Sequence, residues 1–366
     1  MLRVALKIVM IFFVIFSGVV LSVITIVDTT PYQQKDFYLE MNERLDSLDE
    51  HFSLQRDTSQ LQVGWATVNI TPEELLPLAG YGVRDPKEMS GVRDSSYIRT
   101  IVFKLGDQQV AIVTADLLII HPELRNAVFN ALPEGWSPSD IYFTASHTHS
   151  GQGSWAPGVV GELFAGTFSE NQLAYLSSQI VTSLTDAAAS MQSGAVQFGE
   201  LSLDNLVRNR LAKEAGIIDP WLKVARLQKD TLVGHLVSFS AHATCFGPEN
   251  RELTSDFPGE LVNQLNETFD FTAFAAGAVG SMSVDVEGNR PEEIIHDLAN
   301  ELTQQTQLLS LIGLSQRPVQ TLSSFRLKLP LRAPYAKLTN RLALRPYVFH
   351  AAFGEYTNDI SVLVLG

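Results

Sequence analysis

Cysteine is almost missing from this chain. The single Cys245 excludes an intrachain disulfide and any thiolate cluster, so a metal centre would have to be built from imidazole, carboxylate or phenolate. Basic residues are scarce as well. Twenty-six Lys and Arg stand against 40 Asp and Glu, a formal net charge of −14, and this excludes a phosphate backbone as partner because such binding depends on clustered cations. Familiar catalytic signatures are lacking: there is no HExxH, no P-loop, no dinucleotide GxGxxG and no G-x-S-x-G elbow.

One long stretch lacks charge altogether. From Ile8 to Val27, IVMIFFVIFSGVVLSVITIV carries no ionisable side chain, and as a helix it would reach about 30 Å, one hydrocarbon thickness. Arg3 and Lys7 precede it and Asp28 follows. The positive-inside rule then predicts an uncleaved signal anchor in residues 1–30, N-terminus in the cytoplasm and the remainder extracytoplasmic; a cleaved signal peptide is the rival reading. In residues 31–60, Phe37, Met41, Leu45, Leu48 and Phe52 recur at helical spacing, with Asp36 placed to cap a stalk or linker helix.

The whole chain is 45% hydrophobic, and what remains, residues 61–366, is long enough for a large core. Strands are expected at 97–105, 109–114, 141–144, 196–201, 222–227, 232–239, 272–275, 321–327 and 360–365, and helices at 123–131, 170–191, 258–266 and 291–311. Mixed strands and helices read as a layered α/β or α+β domain with helices flanking mixed sheets. A hairpin turns at Gly106-Asp107. No internal repeat is visible.

Chemistry concentrates in TASHTHSGQGSW, residues 144–155. In an extended segment His147 and His149 would point to one side, a spacing that suits a metal; two loop histidines bonded to backbone are the bland alternative. His242, in the loop FSAHATCFGPENRELTSDFPG, follows another strand and adds a third imidazole near a strand end. His296 fits a helix surface. Trp155 and Phe164, near the motif, suit either an acyl groove or the core.

VGWATVNITP, LAGYG, GVRDSSYIRTIVF, VTADLLII, SHTHSGQGSW, VRNR, the His242 loop and FAAGAVGSMS follow one another as in the catalytic domain of the neutral/alkaline non-lysosomal ceramidase family, which residues 61–366 resemble. The resemblance implies Zn2+-dependent hydrolysis of the amide of ceramide (N-acylsphingosine) to sphingosine and a fatty acid, with ceramide or another N-acyl lipid met at the membrane. It implies His147 and His242 as zinc ligands, His149 as a substrate contact, and Arg210 as a pocket-lining cation. Ser283 falls where the family carries a functional serine, as nucleophile or substrate positioner, although Ser281, Val284 and Asp285 depart from the usual Gly-Asp-x-Ser-Pro-Asn. His149 or Arg210 would stabilise the oxyanion or protonate the leaving amine.

The family's pattern continues past a strand like 360–365 into a Pro-Gly-Glu segment and a tyrosine that complete the zinc shell, and this predicts an incomplete, weakly zinc-binding domain ending on a bare strand. Glu355, which precedes that strand, is the superficial substitute. Two other functions remain open: a related metal-dependent amidase on another N-acyl lipid, and a catalytically silent lipid-binding or scaffold protein, which the altered serine loop and the missing segment favour.

Overall fold

The computed structural model describes residues 2–51, 56–84, 88–312, 314, 318–330, 337–345 and 359–366. They fall into two units, Met1–Ser53 with Arg326–Ile360, and Leu54–Phe325 with Ser361–Gly366.

In the first unit, helix α1 spans Leu2–Val23 and α2 spans Asp36–His51, with Asp36 inside the first turn of α2 rather than capping it. The expectation of a membrane-spanning anchor is corrected here. A run of β-branched residues from Val23 to Val27 disfavours continued helix; Ile24–Ile26 instead pairs antiparallel with Leu342–Leu344. Only Ile8–Val23 of the uncharged run is helical, about 24 Å at 1.5 Å per residue and short of a ~30 Å hydrocarbon core. Among the described residues no helix is long and apolar enough to cross a membrane.

The second unit is built on one eight-stranded sheet. Its strands are β1 (Gln62–Asn69), β2 (Tyr97–Leu105), β3 (Gln108–Ala115), β4 (Ile141–Ala145), β5 (Gln192–Ser202), β6 (Trp221–Lys229), β7 (Leu232–Phe239) and β8 (Phe271–Ala276). They lie in the order β8-β7-β6-β5-β1-β2-β3-β4. The helices are α3 (Pro122–Asn130), α4 (Gly158–Ala165), α5 (Glu170–Ala189), α6 (Asp256–Asn266) and α7 (Pro291–Ile312). The mixed α/β class expected from the pattern is what forms, and the β2–β3 hairpin turns at Gly106, whose φ of 57° lies in the left-handed region that favours glycine. Helix α4 had no clear signal in sequence; it follows Pro157, and its short run of glycines and apolar residues carries no polar face to set a period.

The sheet consists of two halves with one topology, a repeat that the residues themselves do not betray. β1-β2-β3 form an antiparallel meander, α3 crosses over, and β4 returns parallel to β3; β5-β6-β7 form a second meander, α6 crosses over, and β8 returns parallel to β7. β1 and β5 join the halves antiparallel through Gln62 and Val63. β8 in turn approaches β4 and β3, so the two edges of the sheet are brought together and the C-terminal ends of both parallel pairs share one locality.

Period-two alternation assigns each strand to two cores. On β2, Ile98 and Val102 pack with Leu124, Val128, Leu176 and Ile180 of α3 and α5, whereas Ile101, Phe103 and Leu105 face Val63, Trp65 and Val196. Phe271 of β8 stacks on Trp65 of β1 at 5.5 Å. In the second half, Val224, Val237, Phe239 and Phe274 close on Phe257 and Leu261 of α6 and Leu298 and Leu302 of α7. The expected bare C-terminal strand is not bare: Asp359–Leu365 pairs with Leu322–Lys328, and the backbones of Gly366 and Thr321 exchange hydrogen bonds.

Candidate active site

The site forms where the sheet's edges meet. β4 ends at Ala145, and the chain is then held by Ser146 N–H to the carbonyl of Ala115 (2.9 Å), the last residue of the neighbouring strand β3, and by His147 N–H to that of Leu117 (3.1 Å), just past it. His147 has φ 61°, so the segment is not extended and the two-residue spacing alone does not bring His147 and His149 together. A turn does. His149 N–H reaches the Ala243 carbonyl at 3.2 Å, one residue past His242 in the other half of the sheet.

Three imidazoles converge as a result. The ring nitrogens of His147, His149 and His242 lie within 4.8 Å of one another, with Nε2 of His149 2.8 Å from Nε2 of His242 and 3.4 Å from Nε2 of His147. The Nδ1 of His147 donates to the Leu118 carbonyl at 2.8 Å and that of His242 to the Val279 carbonyl at 2.9 Å. A carbonyl only accepts, so these bonds fix the Nδ1–H tautomer and leave both Nε2 lone pairs aimed into the site. His149 differs: its Nδ1 is buried against the Gly80 backbone without a well-formed hydrogen bond. Its ring packs at 4.9 Å against Tyr81, and its backbone is approached by Gly80, where a Cβ would stand 2.5 Å from the His149 Cα.

The environment keeps the rings neutral. Burial pushes His149 down to about 3, aided by the charges His242 and His147 would carry, and lowers His242 to about 4; burial also lowers His147. The positive charge of Arg210 acts on all three rings in the same direction. Arg210 is itself held by Nε and Nη2 bonds of 3.2 and 2.9 Å to the Gly280 carbonyl, so the cation expected in the pocket is beside the histidines. Neutral imidazoles with free lone pairs are the donor set that Zn2+ takes, and donated Nδ1–H bonds are the outer support such ligands need. The residues present fit the ion.

Ser283 is placed differently. It lies half-buried on Met282–Val284, which pairs antiparallel with Val207–Asn209, its register partner being Arg208. The same loop supplies the Val279 carbonyl behind His242. Beside it opens a cleft of about 640 Å3 lined by Val207, Arg208, Arg210, Lys213, Glu214 and Asp285; none of the three histidines lines it, and Arg210 is what links cleft and triad. Trp155 is 1% exposed, with Nε1 donating to the Gln152 carbonyl, and belongs to the core. Phe164 is exposed on α4 with Val159 and Leu163. His296 is a surface residue 3.7 Å from Glu260. Glu355 lies outside the described residues.

Sequence reading missed the residues that hold the triad. Tyr81 and Gly80, within LAGYG, pack against His149; Arg84, buried, donates toward the carbonyl of Gly247 and the hydroxyl of Ser150 and lies 5.0 Å over the Tyr81 ring. Asp256, fully buried at φ 54°, accepts from the Phe246 and Phe257 amides and folds the His242 loop back on itself.

Comparison with known proteins settles the lineage. The family model for neutral/alkaline non-lysosomal ceramidase, N-terminal, matches residues 61–294. The chain belongs to this family. Neutral ceramidase of Mycobacterium tuberculosis (strain ATCC 25618 / H37Rv) is 25% identical over 281 residues, covering 68% of this chain and 44% of that protein. Among solved structures, neutral ceramidase from Pseudomonas aeruginosa superposes with a TM-score of 0.68 at 21% identity, covering 76% of this chain and 49% of its own; a ceramidase complexed with C2 gives 0.68 at 20%, covering 78% and 50%. The chain thus spans about half the length of the relatives it matches, and the structural likeness establishes the mixed α/β fold.

Proposed function

We propose that this chain carries the histidine site of a zinc-dependent amidohydrolase that cleaves ceramide or a similar N-acyl lipid to a free amine base and a fatty acid. The observation that carries the reading is the convergence of three neutral imidazoles beside an arginine, two of them with their Nδ1 atoms bound to carbonyls. His147 and His242 would hold Zn2+ through Nε2. Bound there, the ion would supply Lewis acidity, polarising a carbonyl and acidifying water.

The remaining roles belong to this chain's own residues. His149 is read as the ring that holds or gives a proton at Nε2 when the amine leaves. Arg210 is read as the cation that balances negative charge on the carbonyl oxygen. Ser283, at the edge of the loop behind His242, is read as a positioner of the amide rather than a nucleophile, a role that would need an adjacent base. Atoms balance with one water: its hydroxyl joins the acyl carbon, its proton the nitrogen.

An apolar substrate fits the surroundings, since α4 exposes Val159, Leu163 and Phe164 and is tied to Gly80 by the bond from Gly80 N–H to the Phe164 carbonyl. The charged cleft beside Arg210 favours a second reading, an N-acyl compound with a polar or charged head group. Lipid contact is also supported by α1, where Phe12, Phe13, Ile15 and Leu21 are among residues exposed around the helix; we read this helix as embedded in a membrane surface and propose separately that the catalytic unit works outside the cytoplasm. Carbonate extraction of membranes and protease accessibility test that placement.

The test of the activity is hydrolysis of a fluorescent ceramide by the purified chain, with metal content measured in parallel. Chelator-sensitive turnover restored by Zn2+ is expected, lost together with the metal in His147→Ala and His242→Ala but lost with the metal retained in His149→Ala. Turnover indifferent to chelation, or full zinc content in His147→Ala, would overturn it.

A further inference from the structure

The left-handed backbone at His147 raises a question that the three rings do not answer. A residue with a side chain persists at φ 61° only where its surroundings over-determine it. Immediately after it, Thr148 is completely buried and points away from the rings. Its hydroxyl donates to the Thr254 carbonyl at 2.7 Å and accepts from Ser150 N–H at 3.2 Å. Thr254 N–H returns a bond to the Ser150 carbonyl at 3.0 Å, so the segment carrying both histidines and the segment at 254 are laced together around one hydroxyl.

Thr254 is held in turn. Its own hydroxyl donates to Asp94 Oδ2 and accepts from Asp256 N–H at 3.0 Å, while Asp94 Oδ1 takes the Ser255 N–H at 2.7 Å. Asp94 sits in GVRDSS, on backbone tied to Leu253 through Arg93 N–H at 2.9 Å. A polar chain therefore runs Asp94–Thr254–Thr148 and ends between His147 and His149. Ser, Thr and Asp differ from an apolar filler in one respect: each bond has a direction, so the chain fixes an orientation rather than merely occupying space.

We propose that Thr148, anchored through Thr254 by Asp94, is a positioning residue that sets the geometry of the histidine triad. It touches neither substrate nor the reacting atoms. The proposal rests on the metal-site reading above and reaches beyond it, to a residue two shells from the chemistry; outer partners of this kind typically change metal affinity by about 10–100-fold.

The experiment uses the full chain and three variants: Thr148→Val, which keeps the shape and removes the hydroxyl; Thr148→Ser, which restores it; and Ser183→Ala, a control that removes a buried hydroxyl bonded to Thr100 of β2 at 2.8 Å and not to the Asp94–Thr254–Thr148 chain. Zinc affinity by chelator competition, kcat and KM, and thermal midpoint are measured together. Thr148→Val is expected to lose at least about tenfold in zinc affinity and to lower kcat with little change in KM, Thr148→Ser to match the parent, and Ser183→Ala to lower the midpoint with affinity intact. Should Thr148→Val not fold, Asp94→Asn is read in its place. A folded Thr148→Val with parental zinc affinity overturns the proposal, as does an affinity loss that Ser183→Ala reproduces.

A parent that binds no zinc would sink the metal reading and leave this one decidable. Imidazole 15N spectra of the metal-free chain at fixed pH then serve: Thr148→Val must shift the His147 and His149 signals and Thr148→Ser must return them. Unmoved signals refute the positioning role by themselves.

Discussion

Acidification of the metal-free protein tests the site's electrostatics most directly. Burial is the first cause that lowers His149 to about 3 and His242 to about 4 in the folded chain, against an ordinary imidazole value of 6.5. Their folded values are depressed, so between pH 6.5 and 4 the unfolded chain takes up protons that the folded chain refuses, and stability falls as pH falls through that window. Between pH 7 and pH 5 linkage gives a loss of about 2 kcal/mol for each ring. Asp94 acts in the opposite sense. Burial raises its carboxyl to about 6 from 3.8, so the folded state gains its proton first and recovers about 1 kcal/mol over the same interval. The net from these three groups is a loss of about 3 kcal/mol, and fully buried His235, lowered to about 4, adds a term remote from the site. Urea unfolding in the presence of chelator at pH 7, 6 and 5 measures the slope, and His149→Gln should flatten it by about 2 kcal/mol across the interval. Identical pH slopes for parent and variant would refute the argument that His149 is buried as a neutral ring.

Two substitutions probe the scaffold. Asp116→Asn leaves Arg99, 3% exposed and bonded to Asp116 Oδ2 at 2.9 Å, as a buried uncompensated cation; a loss of about 3–5 kcal/mol in denaturant unfolding is expected, and a loss under 1 kcal/mol would show that water reaches the pair. Gly80→Ala, at φ 137° with its new Cβ 2.5 Å from His149 Cα and O, should cost about 1–3 kcal/mol and weaken zinc retention with it; parental zinc affinity would show that the backbone of His149 has room to shift.

Most elements were legible because their signals are local. Alternation in 97–105 and 109–114, with Gly106-Asp107 between, names a hairpin, and the three-and-four spacing of 170–191 names a helix whose end the structure moves to Ala189. The histidines, too, could be listed from their places after strands. What could not be read is why they meet. His147 turns left-handed rather than extended, Tyr81 and Gly80 come from a segment 70 residues distant in the chain, and the Thr148–Thr254 bond spans 106 residues. Single-sequence patterns carry no information at that range. The apolar N-terminal run failed for the opposite reason: its composition was informative, but pairing of Ile24–Ile26 with a strand far along the chain decided its last turn.

The duplicated topology explains how two histidines from different halves come to have matching support. In the first half the histidine follows the outer strand β4 and its Nδ1 bonds to the Leu118 carbonyl, just past the inner strand β3; in the second half the histidine follows the inner strand β7 and its Nδ1 bonds to the Val279 carbonyl, just past the outer strand β8. Each half thus supplies one imidazole and one carbonyl from the ends of a parallel pair, with the assignments exchanged. A parallel pair is suited to this because both C-terminal ends emerge on one side, where irregular chain can donate side chains and carbonyls together. Closing the sheet's edges then brings the two imidazoles face to face without either half having to build a complete site. The third ring is supplied by the turn after His147, and that turn is the part of the site with no counterpart in the other half. It is also where the backbone is left-handed, and where the Asp94–Thr254–Thr148 chain is attached. The asymmetry of the site and the polar chain that holds it therefore coincide, which is the arrangement expected if the two halves align the metal ligands and the added turn sets the ring that meets the substrate.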